Sequence, residues 1–392
     1  VYTEYVSIDY TTMLEHDATK TDKGVFYMIQ MSDHFHGSDL EKIEEIYHIK
    51  KEDITSFSAN VNPIGISPKL RETLVHHIDD ITGYPDREYT SLRQSIGRYI
   101  DADYKNIIVG NGSSELISLF IQNLKPKKAF ILGPTYSEYE HAVSLCGGSA
   151  YYYRLDEKHD FSVHVDRLEK KLTEKIDLLV ICNPNNPTST AISRSDMRQI
   201  LDVCKIHGIY VMIDETYVEF TEDVKAVTAV PLAPIYNNVI ILRGISKFFA
   251  APGLRLGYAI CSNRDLRKKV VGRQNPWTIN TLAAVSGEIM FSDTDYIQET
   301  RRLISSERAR ICRFLDGCKG LTYYPPTANF VLVKITKEGV TADDLFDAAI
   351  RKGLMIRNCA SFPFLDNKYF RFCFMMPEKN DELLALIKEI LG

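Results

Sequence analysis

The sequence predicts an α/β protein in which a large domain, with a mainly parallel sheet between helices, precedes a smaller α+β domain. Near-continuous apolar runs, Ala129–Leu132, Leu178–Cys182, Tyr210–Ile213, Val239–Leu242 and Tyr258–Cys261, alternate with segments of helical periodicity. Strands without polar alternation are buried on both faces, as in a parallel sheet covered by helices. Four of these runs lead into polar or small residues: Pro134 to Tyr136, Asn183 to Thr188, Asp214 to Tyr217, and Ser246-Lys247. In open α/β sheets ligands bind beyond the carboxyl ends of the strands, so these groups are expected to meet in one crevice. After about residue 295 the pattern changes to a long charged helix followed by shorter strands.

In chain order, residues 1–35 form an extension without a convincing period, and its weak strand character comes from Tyr2, Tyr5, Val6 and Ile8. Residues 36–82 read as an arm joining the small domain, 83–290 as the large domain and 291–392 as the small one. In the arm, Asp39 is placed to cap a helix whose Leu40, Ile43, Ile46 and Tyr47 share a face. Phe57–Gly65 reads as a short strand ending in an Asn-Pro and Gly turn. Its Asn60 and Asn62 serve either that turn or, as amides, the mouth of a substrate site.

The large domain begins at Gly83-Tyr84-Pro85-Asp86, followed by a helix with Leu92, Ile96 and Tyr99 inward. The strand Ile107–Val109 then runs through Gly110 to Glu115 into a helix carrying Leu116, Ile117, Leu119 and Phe120. A glycine turn at a helix start presents free backbone N–H groups and the positive end of the helix dipole to an anion. The same residues could equally be a plain helix cap, and they lack the third glycine and downstream acid of a dinucleotide fingerprint. In the small domain, Tyr296, Ile304, Ile311 and Leu315 point inward from the long helix. Strands at Asn329–Val333, Met355–Arg357 and Tyr369–Phe374 and helices at 342–352 and from Asp381 follow. Arg357 and Arg371 at strand ends are either structural ion-pair partners or the holders of two anionic groups on a substrate.

The net charge of −5, from 47 basic and 52 acidic residues, argues against a general nucleic-acid or anionic-membrane binder. Eight cysteines are scattered without a C-x-x-C pair or matching histidines, so neither a metal site nor a disulfide framework is indicated and a reducing cytoplasm fits. No run of about 18 apolar residues and no leader pattern is present, so neither a membrane span nor a signal peptide is expected. The start at Val1 leaves open a trimmed terminus or a piece of a longer polypeptide.

Chemistry concentrates in Ile240–Tyr258, where an apolar run delivers Lys247 into a turn of small and aromatic residues and Arg255 follows eight positions later. Desolvation at the end of a buried strand disfavours the ammonium, making the amine nucleophilic and able to form a Schiff base. In isolation a Ser-Lys pair reads as surface residues; the other groups lined up along the chain reverse that reading in favour of chemistry.

These residues resemble pyridoxal-phosphate enzymes of the type I aminotransferase fold from about His36 to the C-terminus, and within it the group containing histidinol-phosphate aminotransferase and L-threonine O-3-phosphate decarboxylase. The resemblance implies that Lys247 is the Schiff-base lysine, that Asp214 pairs with the pyridine nitrogen, that Tyr217 and Asn186 bond the ring oxygen and that Tyr136 stacks on the ring. It puts the phosphate at Gly112, Ser113 and Ser114 with Ser246 and Arg255 beside it. Tyr84 would reach it from the neighbouring subunit of a homodimer with shared sites. Arg371 would bind the α-carboxylate and Arg357 a distal phosphate, with Asn60, Asn62 and His36 near the substrate. Phrases such as Ser58–Pro63, Asn275–Asn280 and Ile356–Phe362 lean towards the decarboxylase of corrinoid side-chain synthesis. The alternatives are an aminotransferase for histidinol phosphate or another phosphate- or phosphonate-bearing amine, and a non-catalytic cofactor-binding regulator. Gly244 and Ser189 depart from the usual Ser or Thr and Gly of the group, and Ser38 replaces a second glycine after His36-Gly37.

Overall fold

The computed structural model describes residues 39–392, so the extension 1–35 and His36 lie outside the described residues. The strands are β1 (Thr55–Ser56), β2 (Ile107–Asn111), β3 (Lys128–Gly133), β4 (Ser149–Arg154), β5 (Leu178–Cys182), β6 (Tyr210–Asp214), β7 (Val239–Gly244), β8 (Leu256–Ile260), β9 (Leu321–Tyr323), β10 (Phe330–Ile335), β11 (Leu354–Met355), β12 (Arg357–Asn358) and β13 (Tyr369–Cys373). Seven of them form the large sheet in the order β2-β8-β7-β6-β5-β3-β4.

All neighbours in this sheet are parallel except β8, which runs antiparallel to both β2 and β7. Parallel neighbours need a long crossover, whereas β8 returns directly from β7 through the turn that carries Lys247. The edge strand β4 has no apolar run; its Tyr151 is 41% exposed, because an edge need not be covered on both faces. Along the central strands alternate residues enter two separate cores. Val211 and Ile213 of β6 and Ile241 of β7 join one; Met212, Ile240 and Leu242 join the other. The first core takes in Leu92 and Ile96 of helix Thr90–Ile100, the second Leu116, Ile117 and Phe120 of helix Gly112–Leu124. This double coverage is what the unbroken apolar runs encode.

The second sheet is antiparallel in the order β12-β13-β10-β9. Helix Thr294–Leu315 buries Tyr296, Ile304, Ile311 and Leu315 as its periodicity predicts. The arm differs from expectation. Asp39 occupies the cap position of helix Leu40–Tyr47 but makes no side-chain cap bond. The strand read at Phe57 is only Thr55–Ser56, paired in parallel with β11. Beyond it the chain turns at Asn60, whose φ of 56° no strand accommodates. Among the described residues no helix is long and apolar enough to cross a membrane.

Arg243 of β7 is buried and donates from Nε (2.9 Å) and Nη2 (2.7 Å) to Glu215 Oε2, just beyond β6. Thr228 Oγ1 (2.8 Å) and the Ala229 N–H (2.5 Å) complete the shell of Glu215. Burial opposes the Arg243 charge, but Glu215 and Glu219 more than offset this and hold the guanidinium above its ordinary value. The pair rivets together the two strands whose carboxyl ends lead to Asp214 and Lys247. Removing one member leaves an uncompensated buried charge, so Glu215→Ala is expected to cost about 3–5 kcal/mol, read as a lowered urea midpoint. An unchanged midpoint would show that the pair is not structural.

Candidate active site

The carboxyl ends of β5, β6 and β7, the turn after β2, the arm and the small sheet enclose a cavity of about 390 Å³. Its lining includes Lys247, Asp214, Tyr217, Asn186, Tyr136 and Asn60, with Ser113, Ser114, Ser246 and Arg255 at one end and Arg357 and Arg371 at the other. The crevice expected from the strand ends is therefore present.

Lys247 lies three residues past β7, and its ammonium Nζ donates to the Ala59 carbonyl at 2.7 Å. Burial, then the Arg371 charge, lower its pKa to about 8; Arg255 acts the same way and Cys373 opposes them. Asp214, 4% exposed, ends β6. Its Oδ2 accepts from the Tyr139 hydroxyl at 2.7 Å, and its Oδ1 from Thr216 Oγ1 at 2.6 Å and Thr216 N–H at 3.0 Å. Burial raises the carboxyl above its usual range, and these donors pull it back down. Sequence reasoning missed Tyr139 and Thr216. Tyr139 had a signal: it follows Tyr136 by three residues, at the start of helix Glu138–Leu145, and the two rings meet edge to face with centroids 5.7 Å apart. Burial pushes the Tyr136 hydroxyl up to about 12. The Tyr217 hydroxyl accepts from Asn60 Nδ2 at 3.4 Å.

At the turn after β2, Gly112 has a φ of 77° and opens helix Gly112–Leu124. A Cβ there would stand 2.4 Å from Arg255 Nη2, so glycine is what lets the guanidinium close on the turn. Gly257 of β8 was also missed; a Cβ on it would lie 2.4 Å from the Ser113 nitrogen. Gly244 pairs with Gly257 in the sheet and is not part of the cavity lining. Ser189, at a φ of 60°, takes the left-handed conformation that usually calls for glycine, and its hydroxyl accepts from the Ala328 N–H at 2.9 Å, ahead of β10.

Arg357 and Arg371 face each other in register across β12 and β13. Arg371 donates from Nη2 to the Ser58 carbonyl (2.6 Å) and from Nη1 to Asn186 Oδ1. Arg357 donates to Ser361 Oγ at 3.0 Å and lies over the Phe362 ring. Among the described residues neither guanidinium has a carboxylate within 4.0 Å. Among the described residues Arg357 Nη1 and Arg371 Nε are buried without a hydrogen-bond partner. Burial lowers the Arg357 pKa. Among the described residues the ion-pair reading of these arginines is thus not met.

Two expected residues stand elsewhere. Asn62 does not line the cavity, because its Nδ2 contacts the Phe248 carbonyl (2.8 Å), Tyr296 Oη (2.9 Å) and Thr300 Oγ1 (2.8 Å) behind the lysine turn. Tyr84 is 80% exposed against Trp277, with ring centroids 4.6 Å apart, and does not line its own chain's cavity.

The residues present fit pyridoxal phosphate. The glycine cradle against Arg255 suits its phosphate, buried Asp214 suits a protonated ring nitrogen, and the Lys247 amine suits its aldehyde. Comparison with known proteins agrees. The family model described as aminotransferase class I and II matches residues 52–387. The chain is 32% identical to the threonine-phosphate decarboxylase of Salmonella typhimurium, over 91% of this chain and 96% of that protein. It is also 32% identical to the histidinol-phosphate aminotransferase of Ruminiclostridium cellulolyticum, over 84% of this chain and 91% of that protein. The crystal structure of the histidinol-phosphate aminotransferase from Clostridium acetobutylicum superimposes with a TM-score of 0.79 at 32% identity, covering 85% of this chain and 98% of that one.

An amine with a pKa of about 8 is half neutral at that pH, whereas an exposed lysine stays charged to about 10.4. Competitive acylation of the cofactor-free protein is expected to label Lys247 with a midpoint near pH 8. A midpoint shared with the surface lysines would contradict the burial argument.

Proposed function

The chain belongs to the aminotransferase class I and II family and is a pyridoxal-phosphate-dependent enzyme; from that premise we propose that it turns over a phosphorylated amine by transferring its amino group. The observation that supports anionic substrates is the register pair Arg357 and Arg371, buried beside Lys247 with donors left over among the described residues. A buried guanidinium without a carboxylate calls for an anionic ligand.

In this reading Arg371, already braced by Asn186 and the Ser58 carbonyl, takes a carboxylate of the oxo acid that accepts the amino group, and Arg357, braced by Ser361, takes the phosphate of the amine. Gly112, Ser113, Ser114, Ser246 and Arg255 hold the cofactor phosphate. Asp214, with Tyr139 and Thr216 on its oxygens, keeps a proton on the ring nitrogen; Asn186, Tyr217 and Tyr136 orient the ring. When bound, pyridoxal phosphate supplies an aldehyde that condenses with amines and a ring that accepts the electron pair left at Cα. Lys247, poised near neutral pH, removes or returns the proton at Cα. Asn60 bonds Tyr217 at the substrate side. Tyr84, exposed and away from this cavity, serves a second copy of the chain in a homodimer.

The second reading is α-decarboxylation, favoured by the relative named for threonine-phosphate decarboxylase. The same residues would serve it, because with the cofactor bound the arginines would set which bond at Cα is placed to break, and a small change in their position would decide between the two.

Incubation with histidinol phosphate and 2-oxoglutarate is expected to form glutamate, and Lys247→Ala is expected to abolish both this and the cofactor's absorbance near the visible edge. Release of CO2 and aminopropanol phosphate from phosphothreonine, with no requirement for an oxo acid, would replace transamination by the second reading. Arg357→Ala is expected to weaken the phosphorylated substrate by about 2–5 kcal/mol in kcat/KM and to spare an unphosphorylated analogue. Equal loss for both would take the phosphate away from Arg357.

A further inference from the structure

We propose that Asn62, outside the cavity, is a positioning residue for Lys247: it holds the main chain of the lysine turn so that the amine stays in its buried berth. Two consecutive carbonyls of that turn are gripped by this one residue, Lys247 O by the Asn62 N–H at 2.9 Å and Phe248 O by Asn62 Nδ2 at 2.8 Å. Within the turn itself, Lys247 O receives only a 3.4 Å bond from the Ala250 N–H. The Asn62 side chain is in turn fixed from two directions. Its Oδ1 accepts from the Ile64 N–H at 3.1 Å, and its amide lies 2.9 Å from Tyr296 Oη and 2.8 Å from Thr300 Oγ1 on helix Thr294–Leu315. Tyr296 also donates to the Gly65 carbonyl at 2.7 Å, closing the arm onto the same helix.

Three residues upstream of Asn62, the Ala59 carbonyl receives Lys247 Nζ. One short stretch of arm therefore grips both the backbone and the tip of the lysine. The groups acting on the amine are Arg371 and Cys373 from β13 and Arg255 beyond the turn, while Asp214 at the end of β6 and Tyr217 beyond it line the same cavity. The two arginines and burial disfavour its charge, and Cys373 favours it. A turn released from Asn62 lets the amine leave this environment, so its titration moves back towards that of an ordinary lysine. A substrate contact at Asn62 would instead raise KM and leave the amine untouched.

The inference rests on Lys247 being the reactive amine, and its test is separable from the test of that role. In the cofactor-free protein, the labelling midpoint of Lys247 is expected to rise by about one pH unit or more in Asn62→Ala. In the cofactor-loaded protein the pH midpoint of the visible band moves as well, and kcat falls with KM little changed. The variant Thr300→Val keeps Asn62 and removes one of its supports, leaving Tyr296, whose hydroxyl also reaches the Phe248 carbonyl at 3.3 Å; it is expected to shift the labelling midpoint in the same direction by less. An unmoved midpoint in a folded Asn62→Ala protein overturns the proposal, and where that variant does not fold, an unmoved midpoint in Thr300→Val does so. If Lys247 were not the reactive amine, the cofactor band would survive Lys247→Ala, whatever the Asn62 result.

Discussion

The arrangement of the site depends on an irregular stretch of backbone, Phe57–Asn62, that belongs to neither sheet yet is hydrogen-bonded to both halves of the cavity. Its carbonyls take the Cys373 N–H (Phe57, 2.9 Å), the Arg371 guanidinium (Ser58, 2.6 Å), the Lys247 amine (Ala59, 2.7 Å) and the Asn329 amide (Asn60, 3.0 Å). Carbonyls in a regular strand would be spent on a ladder. Here the left-handed turn at Asn60 frees them for side chains. The amine from the large sheet and the arginine from the small one are thus measured against the same few atoms.

Charge is handled in two ways within this one molecule. Behind the site, Arg243 is fully matched by Glu215, with Glu219 and Thr228 around it, and it serves only to hold strands together. Inside the site, Lys247, Arg357 and Arg371 are brought out of water with carbonyls, hydroxyls and an amide for company. Neutral acceptors offset only part of the desolvation of a cation. That deficit lowers the Lys247 pKa, and it is also what makes the far end of the cavity receptive to anions.

Much of this was legible in the chain itself. The runs at Leu178–Cys182 and Val239–Leu242 report burial on both faces, and the polar residues that follow them mark the crevice mouth. The periodicity of helix Thr294–Leu315 likewise gave its inward face. What could not be read were relations between segments distant in sequence. The reversed direction of β8 leaves no trace in an apolar run, since both orientations bury the same side chains. The edge strand β4 lacks the double burial that makes its neighbours conspicuous. Asn60 and Asn62 look alike on paper, two residues apart, but the positive φ at Asn60 separates their directions: one amide meets Tyr217 at the cavity, the other Thr300 behind it. Local pattern carries no information on which way such a turn points.

The antiparallel return from β7 to β8 has a further result. Because no crossover helix intervenes, Lys247 and Arg255 sit on a single short connector between two neighbouring strands, with Gly257 packed on the Ser113 nitrogen just after it. Lys247 and Arg255, both of which line the cavity, are thereby carried on one connector. A single residue added to this connector would move Lys247 and Arg255, and with them two parts of the cavity lining, relative to one another.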